Sequence, residues 1–111
     1  MPKFMLLFQG RAAADPGASD AQTQDYNRRW GDYMTGLARD GKLESGAPLV
    51  PSGKVLKGES VSELELAEFD IGGYMLIEAD SIDEAVEIAL RAPHVELGGG
   101  TIVRPCVELA P

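Results

Sequence analysis

The chain carries one histidine and one tryptophan, and both stand where they could do chemistry. His94 follows Pro93 just past a helical run, and an imidazole there can give or take a proton near pH 7. Glu96 lies two residues on, and Arg104 comes within reach if the last strand returns past the turn. The plainer alternative is a loop residue interacting with a helix C-terminus. Arg104 can clamp a substrate carboxylate through a two-pronged hydrogen bond, or simply pair with a surface acid. Tyr26, Trp30 and Tyr74 can line an apolar, ligand-binding cavity that stacks on a flat molecule; the alternative for each is core or interface packing. Tyr74 follows Gly72 and Gly73, a setting that can leave room around its ring. Cys106 has no activating neighbour apart from Arg104 and reads as a small buried apolar residue.

Other chemistries lack their residues. One histidine, one cysteine and scattered carboxylates offer no metal-ligand spacing. Gly98-Gly99-Gly100 does not open a helix after a strand, so it is no phosphate loop, and no cofactor fingerprint is present. Ten basic against eighteen acidic residues leave a net charge of −8, which repels nucleic acid and anionic lipid. No stretch reaches the length of a membrane span, and Phe4 to Phe8 is too short for a secretory signal. A single cysteine suits a reducing cytoplasm.

The elements that must position these residues fit one domain over residues 1–111. Phe4 to Phe8 reads as a strand apolar on both faces. Ser19 and Gln22 have capping-box spacing and open a first helix, whose apolar stripe runs through Tyr26, Trp30, Tyr33, Met34 and Leu37 before Gly41 stops it. Leu43 to Pro48 reads as a short strand, and Val55 and Leu56 as part of a small hairpin arm. Leu64 to Phe69 alternates, as an edge strand or an ordered loop. Gly73 to Ala79 is a strand running into a second helix, capped by Ser81 with Glu84 at the reciprocal position. Ile82, Ala85, Val86 and Ala89 form its expected buried face, and Pro93 ends it. Thr101 to Leu109 is the last strand, placed by Pro105 at a sheet edge or a bulge. The order strand, helix, one or two strands, strand, helix, strand is the split β-α-β pattern of an α+β, ferredoxin-like domain. Two helices would cover one face of an antiparallel sheet. A second copy would cover the other, which makes a homodimer the expected assembly.

Three blocks carry a family resemblance: Pro2-Lys3-Phe4-Met5-Leu6-Leu7-Phe8, Gly73-Tyr74-Met75-Leu76-Ile77-Glu78-Ala79-Asp80-Ser81, and Gly99-Gly100-Thr101-Ile102-Val103-Arg104-Pro105. Together they resemble the YCII-related family, including its DGPF-type branch. The resemblance implies a dimeric α+β barrel and, for some members, a lyase or related activity run by a His on the first helix and an Asp before a Pro. Here those two positions are Trp30 and Ala92, neither of which carries a proton, and the DGPF position reads Lys57-Gly58-Glu59-Ser60. The implied dyad therefore does not transfer.

Two functions follow as expectations. One is a lyase- or isomerase-type enzyme acting on a small organic ligand, with His94 as catalytic base and Arg104 holding an acidic group. The other is a non-catalytic dimeric binding or regulatory module. For the DGPF-type branch, the resemblance suggests a sigma-factor-associated protein partner.

Overall fold

The computed structural model describes residues 2–10, 19–50, 52–65 and 70–108. Its elements are β1 (Lys3–Gln9), α1 (Asp20–Arg39), β2 (Leu43–Pro48), β3 (Lys54–Lys57), β4 (Ser60–Glu63), β5 (Ile71–Glu78), α2 (Ile82–Leu90), a 3-10 turn (Pro93–Leu97) and β6 (Gly100–Pro105). Strands β2, β5, β1 and β6 form one antiparallel sheet in that order. This is the α+β, ferredoxin-like arrangement, in which each helix connects two strands that are not neighbours. The arm β3–β4 stands apart as a separate two-stranded ribbon.

Local chemistry sets the element ends. Ser19 caps α1 with the full reciprocal box: Gln22 N–H donates to Ser19 Oγ at 3.2 Å, and Ser19 N–H donates to Gln22 Oε1 at 2.8 Å. At the other end Gly41 takes φ +73°. Lys42 N–H then reaches Leu37 O at 2.9 Å and Gly41 N–H reaches Ala38 O at 3.1 Å, which is a Schellman closure. Ser81 caps α2 through Glu84 N–H at 3.2 Å. The Glu84 carboxylate does not return to Ser81. It binds Lys42 Nζ at 2.6 Å instead, tying the start of α2 to the exit of α1.

The core lies between the helices and one face of the sheet. Phe4, Leu6 and Phe8 of β1 meet Met75 and Ile77 of β5, Leu37 of α1, and Ala85, Ile88 and Ala89 of α2. The other face carries Met5, Leu7, Tyr74 and Leu76, all half-buried, with Ile102 and Arg104 exposed beside them. Within one chain, then, β1 is buried on one face only. The α2 face also differs from expectation. Ala85, Ile88 and Ala89 are buried, while Ile82 and Val86 face outward with Leu90 as a second apolar stripe. The last strand stops at Pro105 on the sheet edge, and Cys106 just beyond it is exposed rather than buried. Residues 66–69 of the alternating segment, and Leu109 of the expected last strand, fall outside the described residues.

Candidate functional site

A cavity of about 210 Å³ opens between α1, the 3-10 turn and the ends of β1, β2 and β5. Trp30 and Met34 of α1 form one side, Phe8 and Met75 the floor, and His94 one end. The helix stripe dictates this: Trp30 sits one turn after Tyr26 and one turn before Met34, on the flank of α1 that overhangs the sheet.

Pro93 starts the 3-10 turn, where its missing N–H costs nothing, and the turn swings His94 inward. His94 is only 4% exposed. Its Nε2 lies 2.8 Å from Gly100 O and 3.0 Å from Thr101 Oγ1. A carbonyl oxygen can only accept, so Nε2 carries the hydrogen and, in the neutral ring, Nδ1 holds a bare lone pair. One ring face stacks on Trp30, with centroids 5.7 Å apart and planes 28° apart, and Phe8 approaches edge-on at 4.9 Å. The Cδ2 edge is pressed against Gly99. A Cβ there would lie 2.4 Å from His94 Cδ2, so position 99 needs glycine for the ring to sit where it does. With that edge and Nε2 occupied by β6, the edge without a β6 contact is Nδ1–Cε1, whose nitrogen is itself buried.

Among the described residues, three buried polar side-chain atoms have no hydrogen-bond partner: His94 Nδ1, Trp30 Nε1 and Tyr26 Oη. Each such atom costs about 1–3 kcal/mol when nothing pairs with it. They lie along one aromatic chain, since Tyr26 meets Trp30 edge-on at 6.4 Å and Trp30 stacks on His94. A fourth ring, Tyr33, meets Trp30 at 5.7 Å and donates its hydroxyl to Ile88 O at 2.7 Å. Burial holds the Tyr33 phenol above its ordinary value, so it stays neutral.

The residues expected to form a site are only partly together. His94 and Trp30 line the cavity side by side. Tyr74 also lines it, although its strand position puts it on the face of Leu7, opposite to Phe8 and Met75, so the pleat carries its ring away from Trp30. Tyr26 is buried behind Trp30 and outside the lining. Arg104 pairs in register with Met5 and therefore projects from the far face of the sheet. It is no neighbour of His94. Glu96, the other expected partner, binds Arg29 Nη2 at 2.6 Å. The partners that hold the imidazole are instead Gly100 and Thr101. Their sequence signal was faint: a run of three glycines reads as a flexible link, yet a glycine is what lets β6 approach a buried ring. Phe8, Met34, Gln9 and Asn27 also line the cavity and carry no motif. Among the described residues no group of three or more His, Cys, Asp or Glu could hold a metal ion, and no helix is long and apolar enough to cross a membrane.

No protein-family model and no curated protein matches the chain. Among solved structures, the chain is similar to 5-chloro-2-hydroxyhydroquinone dehydrochlorinase from Burkholderia phenoliruptrix AC1100, solved in complex with 2,5-dihydroxybenzoquinone, at 20% identity and a TM-score of 0.58 over 95% of this chain and 93% of that one. At that identity the likeness establishes a shared α+β fold along nearly the whole chain.

Proposed function

We propose that this chain is a small-molecule enzyme of lyase or isomerase character, of the YCII-related kind, in which His94 Nδ1 takes a proton from the ligand. One observation carries the reading. The imidazole is nearly fully buried, the Gly100 carbonyl calls for hydrogen on Nε2, and Nδ1 has no hydrogen-bond partner among the described residues. Most buried side-chain polar atoms find a partner, and Nδ1 does not. When Nδ1 gains the proton, Nε2–H keeps its bond to Gly100 O, so the imidazolium forms without rearrangement. The electron pair left on the ligand moves into its π-system or expels a leaving group. The shared fold with a dehydrochlorinase supports an enzyme on this scaffold. The family resemblance, the acidic surface and the single cysteine support a cytoplasmic homodimer joined through the open sheet face, without nucleic-acid or membrane partners.

A second reading has its own observation: none of the described lining residues apart from His94 is a proton carrier near neutral pH. A dimeric module that binds without reacting fits that. Hydrogen exchange separates the two. Small cyclic ketones, whose C–H bonds exchange only slowly in neutral buffer, are incubated with the protein in D2O and carbon-bound deuterium is followed by NMR. Exchange above the buffer rate that is lost in His94→Gln supports the enzyme. Binding without catalysed exchange supports the module.

A further inference from the structure

We propose that the free edge of β6 and the outer apolar stripe of α2 form one docking surface for a second copy of this chain, joined antiparallel, β6 to β6, about a two-fold axis. This seam lies at the side of the sheet and is separate from the open face.

The backbone supplies the first argument. Phe4 pairs with Pro105, so Lys3 stands opposite Cys106, and Cys106 N–H donates to Lys3 O at 2.9 Å. In an antiparallel ladder the direction then alternates: Gly100, Ile102 and Arg104 turn their N–H and C=O groups toward β1, and Thr101, Val103 and Pro105 turn theirs outward. An outward row of this kind is a template for another strand. The opposite edge strand, β2, is irregular between Leu43 and Ser45 and ends in Pro48, whereas β6 keeps one register with β1 throughout. Thr101 of one copy placed opposite Val103 of the other closes four backbone hydrogen bonds, none of which calls on the N–H that Pro105 lacks. The same register sets the exposed Ile102 against its own counterpart.

The helix supplies the second. α2 packs over β1 and β6. Ile88 O accepts the Tyr33 hydroxyl of α1 and Glu84 binds Lys42 at the α1 exit, so α1 lies on the Ile88–Glu84 flank. At about 100° per residue, Ile82, Val86 and Leu90 point the opposite way, past the β6 edge, and all three are exposed in the single chain. A helix above the gap between β1 and β6 is two strand spacings from its mate across the seam, about 9.6 Å at about 4.8 Å each. Packed helices lie about 8–10 Å apart, so the two stripes meet above the seam. The two-fold axis runs the helices antiparallel and turns Asp83, in the first turn of one, toward the end of the other, where Arg91 stands. The seam is smaller than a standard interface, so it closes reversibly as protein concentration rises.

The test is a cross-link at the axis. In this register residue 102 and its counterpart form a non-hydrogen-bonded pair with Cα atoms about 4.5 Å apart, within disulfide reach. Two sheets packed face to face stand about 10 Å apart, beyond it. Ile102→Cys is made together with Cys106→Ser and oxidised with copper phenanthroline. A disulfide-linked dimer is expected at least tenfold faster than from wild type, whose single thiol is Cys106. Adding Val86→Glu should slow it at least fivefold, with circular dichroism unchanged; Leu90→Glu, at a more exposed position, replaces it where that spectrum is lost. Adding Leu7→Glu, which charges the open face, should leave the rate unchanged. Cross-linking no faster than wild type, or indifferent to charge on the α2 stripe, overturns the proposal. Loss of the cross-link with Leu7→Glu overturns it too, because the open face then brings the thiols together. None of these outcomes bears on the ligand site.

Discussion

At the scale of single residues, the site depends on how little room surrounds His94. Gly99→Ala would drive a methyl into the imidazole edge. The expected loss is about 1–3 kcal/mol of stability, read by urea unfolding, with a change in Trp30 fluorescence as the stacked ring is displaced. An unchanged denaturation midpoint would show that the ring yields freely. Tyr33→Phe removes the hydroxyl that reaches Ile88 O and should cost about 0.5–1.5 kcal/mol by the same measurement. The sequence showed His94 and Trp30 as candidates because their side chains are chemically distinctive. It could not show Gly100 and Thr101 as the imidazole's partners, since one supplies only a backbone carbonyl, which every residue has. Arg104 was misleading for a related reason: its guanidinium suits an anion wherever it is placed, and strand register alone decides which face it leaves.

At the scale of elements, ends were legible and faces were not. Ser19, Gln22, Gly41 and Ser81 do what their types and spacing imply, because capping is local chemistry. Ser19→Ala should cost about 1 kcal/mol, checked by thermal or urea unfolding. Helix α2 is apolar on two sides, one stripe through Ala85, Ile88 and Ala89 and another through Ile82, Val86 and Leu90. Hydropathy cannot choose between them; packing on β1 and β6 selects the alanine-bearing stripe, which allows close approach. Glu84 shows the same limit, since a lysine distant in sequence outcompeted the cap. The Lys42 ammonium, first through its hydrogen bond, holds the Glu84 carboxyl below the usual carboxylate range, and Glu84 in turn raises Lys42. A lowered carboxyl contributes stability that is present above its unfolded value and lost as pH falls through its native one. A raised lysine contributes stability that is present below its unfolded value and lost as pH rises through its native one. The bridge should therefore support folding across the neutral range and fade at both extremes. Urea midpoints measured against pH should show a shallower acid-side decline in Lys42→Met than in wild type. Identical slopes would mean that the bridge adds nothing.

At the scale of the whole molecule, the pattern of strands and helices carried the fold, and each helix joins two strands that have a third strand between them. Both helices pack on one face of the sheet and leave the second face without a helix. Met5, Leu7, Tyr74 and Leu76 are half-buried there in a single chain. Packing against a second copy predicts a dimer by sedimentation, converted to monomer by Leu7→Glu with the fold retained. A wild-type monomer would contradict it. The central claim is narrower than the assembly, and the lone histidine makes it directly measurable. A long-range 1H–15N spectrum at pH 9, well above the imidazole reference of about 6.5, should show His94 as one fixed tautomer with hydrogen on Nε2 and none on Nδ1. Hydrogen on Nδ1, or the averaged tautomers of a solvent-exposed ring, would contradict the account of His94 as a buried, pre-oriented base.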